Sequence, residues 1–406
     1  MKNENPNFWP SFFLILCAVT MDLLVGMEFD LFVPSFPVLQ ESFHLSVTQV
    51  EALLSVNFLG YCLGIPFVGT LSDRQGRKPL ILYGLGLFIL GSLLCLFGKN
   101  YGVLLTGRFL QGLGISAPGI LSFLIIADRF PLKKQQTLMG LLNASMNLAC
   151  ALAPVFGSFL TLYFGWKGNF SSLLMLGVAA LIMVFFALKE EPRVPVPHEP
   201  IWQDYRKIFS SQPLRLLIFY LIASFVPYGI FVGMSPLLYM KELGVSLSHF
   251  GYYQGIQAFS FAAGCLLFGL ITHRVSHRKF LIYSNILVGL SFILLLILAV
   301  FKIQSAPWLT FGLLLSVMGG VVPSSILYTL SFNIVPKIKG SVSGFIQGVK
   351  LILSALSLQL AAWTYDGTFF STGLIISGFI LISIVGLHLV LKHPEIRLDS
   401  KNKESL

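Results

Sequence analysis

Twelve long apolar runs constrain this 406-residue chain more than any other feature of its sequence. Each run holds roughly 20 mostly apolar residues, the length that an α-helix needs to cross about 30 Å of hydrocarbon. Only 11% of the residues are charged, which is less than half of the roughly 25% usual in soluble domains. We therefore predict an all-α membrane protein with twelve transmembrane helices. The predicted spans are residues 10–34, 47–70, 79–97, 102–126, 136–163, 171–188, 214–239, 249–271, 280–301, 308–335, 340–364 and 372–391.

Lysine and arginine are distributed unequally between the loops that join these spans. If both termini are cytoplasmic, the cytoplasmic segments hold 21 of these residues and the outer loops hold four. Cytoplasmic loops are enriched in Lys and Arg, so this distribution predicts a multi-pass protein of a bacterial inner membrane with both termini in the cytoplasm. The net charge of +10 is then explained by loops that face anionic lipid, and no nucleic-acid partner is expected.

The cysteines and the motifs argue against several classes of site. All five cysteines lie in apolar runs, and the sequence has no Cys-x-x-Cys pair. Disulfides and a structural metal are therefore not expected. The HExxH and GxSxG motifs of zinc proteases and serine hydrolases are also absent from the sequence. We expect no enzyme activity, no cofactor and no metal.

The sequence carries signs of an internal duplication. "GTLSDRQGRKP" (69–79) follows span 2, and the similar "GLITHRVSHRK" (269–279) follows span 8, 200 residues later. A polar, Pro-rich segment, 189–213, divides the chain into a first bundle (1–188) and a second bundle with a short tail (214–406). Two pseudo-symmetric six-helix bundles around a central cavity are the architecture expected of an alternating-access transporter.

Several motifs resemble those of the major facilitator superfamily. "GTLSDRQGRKP" resembles its hairpin signature, and "RFLQGLG" (108–114) is similar to the fourth-helix signature of its drug:proton antiporter branch. "FDLFVPSFPVL" in span 1 and "GMSPLLYMKELGVSLSHFG" in span 7 resemble elements of Bcr/CflA-like exporters. The span 5 element departs from the family pattern, because "APVFGS" (153–158) lacks two of its glycines. The resemblance implies conformational gating by Gly69, Asp73, Arg74, Gly76, Arg77, Pro154 and Gly157.

Ionisable residues inside the predicted spans include Asp22, Glu28, Asp30, Arg108 and Lys350. Such residues are costly in hydrocarbon and are expected to have a partner or a function. Asp30 and Arg108 are predicted at a similar depth, roughly 6–9 Å below the outer surface, so they are expected to pair. Glu28 is expected to point about 160° away from Asp30. We predict that Asp22 and Asp30 carry protons and that Arg108 tunes Asp30, with a static ion pair between spans 1 and 4 as the alternative.

The substrate is expected to be a small molecule that contacts polar and aromatic side chains within the spans. The candidate substrate ligands are Asp22, Gln111, Asn147, Tyr228, Gln254 and Lys350. The first interpretation is a monomeric, proton-coupled exporter of drugs or small metabolites. The alternative is a proton-coupled transporter of one anionic or zwitterionic solute, such as a carboxylate siderophore, which Lys350 would favour. A membrane enzyme or receptor without transport activity is a third, weaker interpretation.

Overall fold

The apolar runs fold as helices. A computed structural model describes residues 8–130, 132–188, 201–271, 276–335, 338–394 and 396. These residues form α-helices, one 3₁₀ segment (Val33–Ser35) and one π segment (Pro236–Glu242), and no β-strand occurs among them. The helices are α1 (Phe8–Asp30), α2 (Phe36–Phe43), α3 (Val47–Gln75), α4 (Arg77–Phe97), α5 (Tyr101–Arg129), α6 (Leu132–Phe164), α7 (Trp166–Ala187), α8 (Ile201–Ser210), α9 (Gln212–Ala223), α10 (Val226–Ser235), α11 (Leu247–Ile271), α12 (His277–Val300), α13 (Ala306–Ile334), α14 (Lys339–Trp363) and α15 (Phe369–Lys392).

Each predicted span corresponds to one of these helices or to a series of them. Ten described segments are helical, long and apolar enough to cross a membrane, and α6 contributes a shorter apolar helix, Leu148–Phe164. The remaining predicted span, 249–271, corresponds to α11. The prediction of an all-α, multi-pass membrane protein is therefore confirmed.

Large apolar side chains on the helix surfaces indicate where lipid would lie. Phe97, Tyr163 and Phe186 are 70%, 72% and 77% exposed. Soluble monomers rarely expose large contiguous apolar surface, because water makes it unfavourable. In a bilayer the same side chains face hydrocarbon at no such cost.

Contacts among the residues divide the chain into two compact units. Unit 1 comprises Met1–Pro197 together with Ser246–Ala258, and unit 2 comprises His198–Val245 together with Phe259–Leu406. Unit 1 therefore contains α1 to α7 and the first half of α11, whereas unit 2 contains α8 to α10, the second half of α11 and α12 to α15. The sequence-based division into two six-helix bundles at 189–213 stays a prediction.

Within unit 1, α3 packs along α5 and α1 packs along α6. The side chain of Arg108 on α5 reaches the backbone oxygen of Leu53 on α3, and the Cys150 thiol on α6 contacts the backbone oxygen of Gly26 on α1. α4 fills the space between α5 and α7, with Phe88 fully buried. These contacts fix the helices that carry the buried polar residues of the unit.

The helical series of span 7 in unit 2 is interrupted twice, each time next to a proline. α9 ends at Ala223, and α10 begins with Pro227 in its first turn. Pro236 then begins the π segment that runs to Glu242. Proline has no backbone N–H and its ring clashes with the preceding turn, so regular α-helix does not continue through it. The first interruption, at Ser224 and Phe225, places an aromatic ring beside α14.

Candidate functional site

Arg108 is the centre of a buried polar network in unit 1. Its side chain is completely buried, and its Nη1 donates to Glu28 Oε1 at 2.6 Å and to Gln111 Oε1 at 2.7 Å. Its Nε donates to the backbone oxygen of Leu53 at 3.3 Å. The guanidinium carbon lies 3.9 Å from the centre of the Phe32 ring, a distance suited to a cation–π contact. A buried charge needs such partners, because leaving water is otherwise very costly.

Asn57 and Ser92 extend this network to two more helices. Asn57 Nδ2 donates to Glu28 Oε1 at 2.8 Å and to the backbone oxygen of Arg108 at 3.0 Å. Gln111 Nε2 donates to Ser92 Oγ at 2.8 Å. These five residues, which we call the Arg108 cluster, connect α1, α3, α4 and α5. Three polar atoms of the cluster have no hydrogen-bond partner within the described residues: Glu28 Oε2, Asn57 Oδ1 and Arg108 Nη2. The cluster could therefore form further hydrogen bonds.

The expected ion pair between Asp30 and Arg108 is wrong, because the buried partner of Arg108 is Glu28. The predicted depth alone did not distinguish the two acids, because Glu28 and Asp30 both lie near the end of α1. Depth does not give the direction around the helix axis. Residues two apart on an α-helix lie about 200° apart, so only one of these two carboxyl groups can face α5. Glu28 faces it, and Asp30 is buried as the last residue of α1.

Gln111 is fully engaged within the Arg108 cluster. Its amide oxygen accepts from Arg108, and its amide nitrogen donates to Ser92. The side chain is completely buried between α4 and α5. In this structure Gln111 therefore orients Arg108, and a direct contact with substrate stays a prediction.

Asp22 has a different environment from Glu28. Its carboxylate is buried, and Ser122 Oγ on α5 donates to Oδ1 at 2.8 Å. Its Oδ2 has no hydrogen-bond partner, and none of the described cations forms an ion pair with it. A buried carboxylate whose only partner is a neutral hydroxyl is poorly compensated, and binding a proton or a cation removes the cost. Asp22 is thus a chemically suitable binding group.

Lys350 and Tyr228 converge on Phe225 in unit 2. The Lys350 Nζ on α14 lies 4.3 Å from the centre of the Phe225 ring, and the Tyr228 ring centre lies 5.9 Å from it. Phe225 is half-buried at the break between α9 and α10. The sequence predicted Lys350 and Tyr228 as ligands but not Phe225, although Pro227, two residues later, is a signal for the break.

Gln254 lies on the first half of α11, where it has a neighbour of the same type. Gln254 and Gln257 are three residues apart, so they share a helix face, and both are buried. None of their four amide atoms has a hydrogen-bond partner among the described residues. Unpaired buried amides are costly, so this pair is suited to a polar ligand.

The hairpin predicted to gate transport is mostly helical. α3 continues to Gln75, five residues beyond the predicted span, and α4 begins at Arg77. Gly76 alone makes the turn, with a φ of 95° that side chains other than glycine rarely adopt. Arg77 Nε donates to Asp128 Oδ2 on α5 at 3.3 Å, and its Nη1 donates to Ser72 Oγ. The positions of Gly69 and of the Asp73 and Arg74 side chains lie outside the described side chains.

Gly157 marks a close approach between α6 and the end of α1. A Cβ atom at this position would collide with the backbone oxygen of Leu31. Pro154 lies one turn earlier and is buried. Gly157 therefore lies where α6 touches the backbone that follows α1, and the gating role of both residues stays a prediction. The side chain of Asn147, a predicted substrate ligand on the same helix, lies outside the described side chains.

Comparisons with known protein sequences identify the family of this chain. The sequence model of the Major Facilitator Superfamily matches residues 18–358. Multidrug resistance protein MdtL of Escherichia coli strain K12 is 31% identical over 235 residues, which is 57% of this chain and 59% of that protein. MdtL of E. coli O6:H1 matches to the same extent. This chain thus aligns with about three fifths of the length of these curated relatives.

Solved structures agree with the fold. A crystal structure of a D-xylose–proton symporter has a TM-score of 0.71 and 15% identity, covering 96% of this chain and 99% of that one. An inward-facing, unoccupied bacterial homologue of the human lysosomal transporter Spinster also has a TM-score of 0.71, at 17% identity, covering 95% of this chain and 97% of that one. At these identities the likeness concerns the fold alone.

Proposed function

The chain belongs to the Major Facilitator Superfamily, and from that premise we propose that it is a proton-coupled secondary transporter that works by alternating access. We propose further that it exports drugs or small metabolites in exchange for protons. The observation that carries the proposal is Asp22, a buried carboxyl group whose only described partner is the neutral Ser122 hydroxyl. Such a group binds either a proton or a polar substrate, and this competition is the basis of exchange.

The proposed cycle follows from the cost of a buried charge. When Asp22 faces the outer medium it takes up a proton, which neutralises it and lets the protein change its orientation. On the other side, a cationic substrate displaces the proton. The occupied carboxyl group again carries no uncompensated charge, so the return step is allowed. An empty, charged Asp22 hinders both steps, and this prevents a leak.

The Arg108 cluster has a supporting role in this proposal. Since Glu28 neutralises Arg108 at 2.6 Å, the influence of Arg108 on Asp30 is weaker than a direct pair would give. Asp30 remains a second candidate proton carrier because it is a buried acid at the end of α1. Glu28 and Gln111 would keep the guanidinium in place while neighbouring helices move.

The names of relatives support the direction and the coupling. The aligned relatives are called multidrug resistance proteins, and a structural neighbour is called a proton symporter. We extend drug export and proton coupling to this chain on that basis. We also propose a monomer in a bacterial inner membrane with cytoplasmic termini, small-molecule cargo, and gating by the Gly76 turn together with Asp73, Arg74 and Arg77.

A single anionic or zwitterionic solute is the second candidate cargo. It is favoured by Lys350, whose ammonium group lies over the Phe225 ring beside the break in span 7. A cation next to aromatic rings suits a ligand that combines a carboxylate with an apolar part. A carboxylate siderophore supplies such an anionic group.

Substrate-induced proton release tests the proposal directly. Purified full-length protein in a weakly buffered solution with a pH-indicator dye is mixed with lipophilic cations such as ethidium, and separately with carboxylate iron chelates. An exporter of drugs releases protons with the cations and not with the chelates, and an Asp22→Asn variant releases fewer. Binding of the cations without proton release would refute the exchange mechanism.

A further inference from the structure

Glu51 is a buried acid to which the proposed mechanism assigns no role. It lies on α3, four residues after the first residue of the helix. Its side chain has no solvent exposure, and neither carboxyl oxygen has a hydrogen-bond partner within the described chain. No described cation forms an ion pair with it. It is thus more isolated than Asp22, which has Ser122, and than Glu28, which has Arg108.

The helix register places Glu51 on the face of α3 that contacts the end of α1. Glu51 and Phe58 are seven residues apart, so they lie within about 20° of one another around the helix axis. The Phe58 ring contacts the ring of Phe29 on α1, with 5.3 Å between the centres. Phe29 stands between Glu28 and Asp30 in the sequence. Glu51 therefore lies roughly 10 Å from this level, toward the start of α3, which the loop charges predict to be the outer side.

The charged groups on the neighbouring helices are engaged elsewhere or distant along the helices. Arg108 on α5 is paired with Glu28. On α2, which contacts α3, Glu41 is exposed, and the exposed His44 follows the helix. On α4, Arg77 and Lys78 are at the opposite end of the bundle from the start of α3. Among the groups described here, none offers Glu51 a counter-charge.

An acid in this position has one available chemical role. Its ionised form is uncompensated in an apolar interior, and its neutral form gains nothing over an apolar side chain of similar size. Ionisable residues inside membranes generally mark ion or proton pathways. A proton is also the one ligand small enough to reach a fully buried carboxyl group between packed helices.

We propose that Glu51 is a second proton-binding site, which passes protons between the acids at the end of α1 and the outer side of the membrane. This inference rests on the proposed proton coupling. In it, Glu51 alternates between its neutral and ionised forms during the cycle as the helices around it loosen. Asp22 exchanges the proton for cargo, whereas Glu51 supplies or removes that proton.

Infrared difference spectroscopy tests proton exchange at Glu51 without any substrate. Spectra of the full-length protein in lipid are recorded in acidic and in alkaline buffer, and the C=O band of protonated carboxyl groups is compared between wild type and Glu51→Gln. The wild type is expected to lose a band on alkalinisation that the variant lacks. Glu51→Asp should restore this band at a shifted frequency. If all three proteins lose the same bands, Glu51 does not exchange protons and the proposal is wrong.

Transport assays then separate proton delivery from cargo binding. In proteoliposomes, Glu51→Gln should lower ethidium accumulation driven by a pH gradient about tenfold, and leave ethidium/ethidium exchange, which moves no net protons, within about twofold of wild type. Equal losses in both assays would contradict a role confined to protons. If wild type shows no gradient-driven transport, the proposed function fails, while the infrared result still decides whether Glu51 binds a proton. If Glu51→Gln does not fold, the shifted band of Glu51→Asp decides the same question.

Discussion

The buried acids of unit 1 differ in their partners, and this difference determines what each substitution should do. Glu28 compensates a buried guanidinium, whereas Asp22 has a hydroxyl group and one free oxygen. Neutralising Glu28 therefore leaves a charge without a partner. Neutralising Asp22 removes the cost of burying a charge. It also removes the group that would bind and release the proton.

Asp22→Asn is expected to abolish gradient-driven transport and to leave the fold intact. The substitution keeps the shape of the side chain and an acceptor for Ser122, but it removes the titrating group. The loss should exceed about 100-fold, measured as ethidium accumulation in proteoliposomes under a pH gradient. Asp366→Asn is the matched control, because Asp366 is exposed between α14 and α15, where hydrogen bonds from Thr368 hold its pKa below the usual value. Equal activity of Asp22→Asn and wild type would exclude Asp22 as the coupling acid.

Glu28→Gln is expected to destabilise the protein by about 3–5 kcal/mol, because it leaves the buried charge of Arg108 without its counter-ion. The free energy of unfolding can be measured by titration in mixed detergent micelles. Glu41→Gln, which changes an exposed acid on α2, should have little effect. A large loss of stability with Asp30→Asn and none with Glu28→Gln would instead support the pair expected from the sequence.

The sequence indicated which ionisable residues lie within helices, but not all of their contacts. Asp22 and Arg108 are recognisable because ionisable residues are rare in apolar runs. The choice between Glu28 and Asp30 depends on the rotation of α1 against α3 and α5, which no single helix encodes. Phe225 was missed because one more phenylalanine in an aromatic-rich span carries no distinguishing signal.

The close packing of α6 against α1 was less clear from the sequence than the positions of the helices themselves. Span 5 has lost two glycines of the family pattern, so looser packing was conceivable. The structure nevertheless brings α6 against the backbone of α1 at Gly157. Gly157, which remains at this contact, is sufficient for the two backbones to approach closely.

Gly157→Ala is expected to destabilise the protein by roughly 1–3 kcal/mol, because the new methyl group collides with the backbone oxygen of Leu31. The measurement is the same unfolding titration. Gly378→Ala in α15 is the control, since no atom lies within 4 Å of its Cβ position, and it should stabilise by up to about 1 kcal/mol through helix propensity. A stable Gly157→Ala variant would mean that α1 and α6 can separate at no cost.

Apolar length and composition predicted the positions of the long apolar helices among the described residues, but not their interruptions. The spans were found because bilayer thickness sets a minimum helix length. The short helix α2, the 3₁₀ segment at Val33–Ser35 and the π segment at Pro236–Glu242 depend on local proline geometry and tertiary contacts. Their boundaries could therefore not be derived from hydropathy.

The orientation of the whole molecule is predicted from its loop charges and can be tested by thiol labelling. In a cysteine-free background, Gln75→Cys reports on the α3–α4 turn, and Lys99→Cys reports on the loop between α4 and α5; both positions are exposed. In intact cells a membrane-impermeant maleimide should label Lys99→Cys and should label Gln75→Cys only after permeabilisation. The reverse pattern would place the termini outside.

Proton-driven accumulation by the purified protein is the most direct test of the whole account. Full-length protein is reconstituted into liposomes with an acidic lumen, and the membrane potential is clamped with valinomycin and equal potassium on both sides. The account predicts that ethidium or another cargo identified by proton release accumulates inside while protons leave, and that nigericin or Asp22→Asn abolishes the accumulation. Accumulation of the same size without a pH gradient, or with Asp22 and Asp30 both neutralised, would contradict it.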